Sequence, residues 1–105
     1  MTTLKEREEA FERKFAHDEE TKFKIISRRN KLLGLWAAAL LNKADADAYA
    51  KEVILAEFEE AGDEDVFRKL RADFDAAGVS VSDEELRTKM VDLLRDATLQ
   101  INPPV

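Results

Sequence analysis

Cysteine is absent from the 105 residues, which excludes disulfides, thiolate nucleophiles and cysteine-ligated zinc. That absence agrees with a reducing, intracellular setting. Proline is confined to Pro103 and Pro104, and glycine to Gly34, Gly62 and Gly78, so little interrupts regular structure along the chain. No long hydrophobic run occurs: the longest, Leu35 to Leu41, is seven residues, far short of a membrane span. The opening Met1-Thr2-Thr3-Leu4-Lys5-Glu6 turns charged at once and lacks the apolar stretch of a signal peptide, so a soluble protein that is not exported by that route is expected. Catalytic signatures are missing as well. The single histidine, His17, sits among Asp18, Glu19 and Glu20 with no Glu three residues before it, and is read as a solvated surface residue. Asp63-Glu64-Asp65 resembles a calcium loop only in charge, since its sixth position is Arg68 where glycine is required. No glycine-rich phosphate cradle is present, and Ser27, Ser80 and Ser82 have no base at a useful spacing. With no catalytic residue, no metal ligand set and no required cofactor, the chain is not expected to be an enzyme.

What is abundant is helix-forming and charged: 45% of residues are hydrophobic, 38% are charged, and the net charge is −6. The charge is unevenly spread. Residues 1–21 carry four basic and seven acidic side chains, residues 22–43 six basic and none acidic, and residues 44–105 seven basic and sixteen acidic. An acidic body argues against a nucleic-acid partner. The basic stretch has two readings: pairing with the acidic remainder of the fold, or a local anion site.

Period and punctuation place four helices in residues 19–105. Ser82 and Glu85 form a capping box that opens a helix at 83–101, with Leu86, Met90, Leu93, Leu94, Ala97 and Ile101 along one face and Pro103-Pro104 beyond its end. Asp63 reads as the N-cap and Gly78 as the left-handed terminator of a helix at 64–77, with Val66, Phe67, Leu70, Phe74 and Ala77 as its stripe. Asp45 or Asp47 caps a helix that is expected to end at Gly62, striped by Ala46, Tyr49, Ala50, Val53, Ile54, Phe58 and Ala61. A longer helix spans about 20–42. Phe23, Ile26, Leu33, Ala37 and Leu40 share one face, Trp36 is a core anchor, and Gly34 marks a close approach of two helices. An all-α four-helix bundle of antiparallel neighbours is the economical arrangement.

Residues 1–18 form a distinct arm. Thr3 and Glu6 make a second capping box, and Lys5–Glu9 and Glu9–Arg13 are i, i+4 pairs, so helix can start here. The apolar stripe is thin, however: Leu4, Phe11 and Phe15 with Ala10, too little to hold a helix of ~15 residues in water unaided. At ~100° per residue, Leu4, Phe11, Phe15, Ile26, Leu33 and Leu40 fall within about 60° of one another, so the stripe keeps its phase into the first body helix. A weakly helical or disordered arm in the free protein follows. It is either a frayed terminus or a probe that orders inside a partner.

Taken together, the stretches Phe11 to Glu20, Arg29 to Ala38, Asp47 to Val53 and Gly62 to Val66 resemble the zeta-subunit family of inhibitors of the rotary F-type ATP synthase found in α-proteobacteria. The resemblance runs over nearly the whole chain and rests on extent and order, since none of these stretches is a catalytic motif. It implies a four-helix bundle with an inhibitory N-terminal segment that enters a catalytic subunit interface of the synthase head, near the central rotor. The arm residues assigned to that contact are Leu4, Arg7, Glu8, Phe11, Glu12 and Phe15. The resemblance further implies a chain that is monomeric when free and cytoplasmic, held at the inner membrane only through the synthase. It also implies ADP or ATP as a regulatory ligand of the bundle, for which Arg28, Arg29 and Lys31 on the basic helix are the candidates. The rival reading is a helical adaptor for another protein partner.

Overall fold

The computed structural model describes residues 19–59 and 62–102, and within them four helices and no strand. They are α1 (Glu19–Leu40), α2 (Ala46–Ala56), α3 (Asp63–Ala77) and α4 (Asp83–Ile101). The expected all-α four-helix bundle is therefore the fold of the body. The arm, with its capping box, i, i+4 pairs and apolar stripe, lies outside the described residues, as do Ala61 of the α2 stripe and Pro103-Pro104.

Neighbours in the bundle run antiparallel. Arg29 of α1 meets Glu57 just past the end of α2, while Gly34 meets Ala50 about two turns earlier in α2. On the other side Arg28 of α1 reaches Gln100 of α4, and Lys89 lies over Trp36. α1 packs most extensively on α2 and next on α4, and α3 closes the ring between those two. The core is a column of Leu33, Ala37, Tyr49, Val53, Val66, Leu70, Phe74, Leu86 and Met90. Each fully buried large side chain here contributes about 1.5–3 kcal/mol relative to exposure. Small residues set the tight α1–α2 spacing. A Cβ built on Gly34 would lie 2.6 Å from the Cα of Ala50 and 3.3 Å from a Val53 methyl, so the expected close approach is real and backbone meets backbone there.

Local chemistry accounts for the ends. Asp45 caps α2 by accepting from the Ala48 amide at 3.0 Å. Ser82 and Glu85 form the reciprocal box at the start of α4, at the expected residues. Gly78 terminates α3 with φ 69°, a left-handed conformation, and the Val79 amide returns to the Phe74 carbonyl at 2.9 Å. The segment Val79-Ser80-Val81 is a linker whose register is held by Arg71. That side chain donates to the Val81 carbonyl at 2.5 Å and pairs with Asp75 and Asp83.

Four expectations are corrected. α2 stops at Ala56, six residues before Gly62. The amides of Glu57, Phe58 and Glu59 turn to carbonyls three residues back, so the chain tightens and leaves the helix while Glu57 tucks inward. Asp63 is not a cap: Gly62 occupies that position with φ 64°, and Asp63 is the first helical residue, its carboxylate taken by Arg29. Phe23, Leu40, Phe58 and Leu94 face outward and not into the core; Phe23 and Phe58 instead pair with each other at 5.6 Å between ring centres. Trp36 sits at the core's edge, half-buried, with its ring edge-on to Phe74 at 5.7 Å.

Candidate interaction site

The basic stretch of α1 supplies the first candidate, and its three residues go separate ways. Arg29 falls on the same face as Leu33 and Ala37 and is 2% exposed. Its guanidinium is spent inside the protein: Nε donates to Asn30 Oδ1 at 2.7 Å, Nη2 to Asp63 Oδ1 at 2.5 Å, and Glu57 Oε1 lies 3.6 Å away. Arg28 is exposed and donates to Gln100 Oε1 at 3.2 Å across the α1–α4 groove. Lys31 is exposed on another side, over α2 beside Asp47, Ala50, Lys51 and Ile54. The three do not converge on one anion cradle, and Arg29 already has two carboxylates. Pairing with the acidic remainder, the first of the two readings of this stretch, therefore describes Arg29.

The Arg29 cluster joins α1 to both ends of the α2–α3 connection. Burial raises the carboxyl pKa of Glu57 above its ordinary value, the adjacent Asp63 carboxylate adds to the rise, and Arg29 only partly opposes it. The Asn30 amide is close enough to favour the ionised form too, yet Asn30 Nδ2 and Glu57 Oε2 both stay short of hydrogen-bond geometry. A second cluster fastens α2 to α3. Tyr49 donates its hydroxyl to Asp73 Oδ2 at 2.6 Å, and Lys69 binds the same oxygen at 3.1 Å. Burial, reinforced by Asp73, keeps the Tyr49 phenol protonated; burial works against ionised Asp73, but the two donors outweigh it and lower its pKa. A third cluster ties α3 to α4: Arg87 forms a two-pronged pair with Glu64 at 2.8 and 3.0 Å while its guanidinium lies 3.7 Å above the Phe67 ring.

Beside the Arg29 cluster is a cleft of about 410 Å³. Thr21, Lys22, Ile25 and Ile26 of the first turns of α1 form one wall, Leu94 and Thr98 of the last turns of α4 the other, and Arg29 with Asp63 the floor. Leu94 was assigned from its spacing to the core stripe, and it is this cleft that it lines. The signal for it lay in the stripe of α4, which carries Leu94 next to the core-packed Leu93. The six arm residues assigned to a partner contact, Leu4, Arg7, Glu8, Phe11, Glu12 and Phe15, lie outside the described residues.

Among the described residues no three of His, Cys, Asp or Glu group as they would to hold a metal ion, and no helix is long and apolar enough to cross a membrane. The clusters above join helices to one another. What fold and surface define is a small helical binding module, with a concavity between the first turns of α1 and the last turns of α4. A family profile described as ATPase inhibitor subunit zeta matches residues 1–100, and the chain belongs to that family. It is accordingly a regulatory inhibitor subunit and not an enzyme, with ATP synthase as its partner. No match was found among curated proteins.

Proposed function

We propose that the chain stops ATP hydrolysis by the rotary F-type ATP synthase by inserting residues 1–18 as a helix at a catalytic subunit interface of the soluble head, where it blocks rotation. Family membership supplies the inhibitory role. The observation that carries the mechanism is the division of apolar residues. Among the described residues the core cluster is built from residues 33–90, whereas Leu4, Phe11 and Phe15 keep the helical phase of α1 in a segment rich in charge. An aromatic pair spaced one turn apart is the usual chemistry of an interface anchor. The bundle stays outside the head as a stop and a handle, and the chain is held on the cytoplasmic side of the inner membrane through the synthase alone.

The test is truncation. Deleting residues 1–17 should leave the melting temperature of the bundle nearly unchanged and abolish inhibition of isolated catalytic heads. Replacing Phe11 and Phe15 together by Ala should weaken inhibition strongly, while Glu8→Gln or Glu12→Gln should act weakly and chiefly at low salt. A truncated chain that inhibits at full strength would move the inhibitory surface onto the bundle.

A further inference from the structure

The cleft between the first turns of α1 and the last turns of α4 lies beside the core cluster and not within it. Ile25, Ile26 and Leu94 line it while remaining partly open to solvent. Its position is the informative feature. It opens at the end of α1 that is continuous with the arm, and its α1 wall lies on one face of that helix. At ~100° per residue, Leu4, Phe11, Phe15, Lys22, Ile26 and Arg29 fall within about 60° of each other, with Thr21 and Ile25 flanking. A helix extending α1 upstream therefore presents its apolar stripe in line with the cleft. Whatever packs along Leu4, Phe11 and Phe15 meets the cleft next.

We infer that this cleft is the bundle-side end of the inhibitory interface, and that it receives an apolar segment of the same synthase head that grips the arm. The inference rests on the proposed insertion of the arm. An apolar occupant matches a lining that offers two isoleucines, a leucine and two threonines beside Lys22 and Asn102, with the floor charges paired as Arg29–Asp63 and the volume sufficient for several side chains. The arm supplies the anchor inside the head, and the cleft fixes how far the bundle stands from it.

Thr98→Trp fills the cleft from an exposed position of α4, where the threonine hydroxyl only bonds back to the Leu94 carbonyl. The full-length variant should melt like the wild type and bind isolated catalytic heads about tenfold more weakly. Should it fail to fold, Leu94→Ser, which strips one wall, must weaken binding in the same sense. Adding heads to the wild type should move the methyl resonances of Ile25, Ile26 and Leu94 and leave that of Leu55 in place. Wild-type affinity in a folded Thr98→Trp protein, or cleft methyls that ignore the heads, overturns the inference. So do cleft methyls that change on deleting residues 1–17 without heads, which would seat the chain's own arm there, or that change with protein concentration, which would seat a second copy. Failure of the two proposals is separable. Loss of inhibition on truncation with full binding by Thr98→Trp removes the cleft alone; head-induced cleft shifts without any slowing of hydrolysis remove the inhibitory insertion alone. Heads that do not bind the chain remove both.

Discussion

Glu57 is a side chain whose charge the fold tolerates poorly. Its carboxyl is largely buried next to Asp63, and its pKa is raised by that burial first and by the neighbouring carboxylate second. For a group of this kind the folded state holds the proton more tightly than the unfolded chain. The stabilisation is fully present below the unfolded value, near 4.3, and is lost as pH rises through the raised folded value. Asp73 works in the opposite sense, since its lowered pKa gives stability above the unfolded value that is lost as the solution turns acidic. Glu57→Gln isolates the first contribution. The gap between mutant and wild-type unfolding free energies should change across the mildly acidic range and level off on either side. Parallel curves over that range would mean Glu57 is solvated and the Arg29 cluster looser than described. Nothing in the local sequence foretold this site. Arg29 reads as one more cation in a basic run, and its partners lie 28 and 34 positions away, at the frayed end of one helix and the first turn of another.

Among the elements, legibility followed the locality of the signal. α4 matches its expected span because both its limits are written nearby, in the Ser82–Glu85 box and the prolines beyond Asn102. α3 is nearly as clear, being closed by Gly78. The end of α2 is not legible locally: Gly62 reads as the terminator, while the helix ends at Ala56, where Glu57 turns inward towards Arg29, a tertiary effect. Stripes likewise indicated which face is apolar but not how wide a strip the neighbours cover, so Phe23, Leu40, Phe58 and Leu94 were assigned to the core and stand at the surface. The α1–α2 contact is the sharpest case in which sequence and structure agree. Gly34→Ala should gain about 1 kcal/mol of helix propensity and still lose stability, because the new methyl meets the Ala50 backbone at 2.6 Å and must part the helices. Overpacking usually costs roughly 1–3 kcal/mol, so after the gain in propensity chemical unfolding should show a net loss of up to about 2 kcal/mol. A more stable mutant would mean that α1 and α2 can separate freely at this level.

At the scale of the whole molecule, α1 is both the helix that packs against most of the bundle and the one continuous in sequence with the arm. That shared membership has a mechanical meaning. If, as proposed, the arm halts the rotor, the load would reach the bundle at the start of α1 and act to slide that helix lengthwise between α2 and α4. In that geometry the Gly34–Ala50 contact, the Arg29 cluster and the Arg28–Gln100 bond are strained together and do not yield one after another. Pulling between residues 19 and 83, at opposite ends of the bundle, reproduces this shear; pulling between residues 19 and 101, at the same end, peels α1 away contact by contact. The first should demand distinctly more force in an optical trap, and equal forces would deny the helix that role. A brake pad riveted along its length holds under a load that would strip one fixed only at its edge, and α1 is riveted along its length.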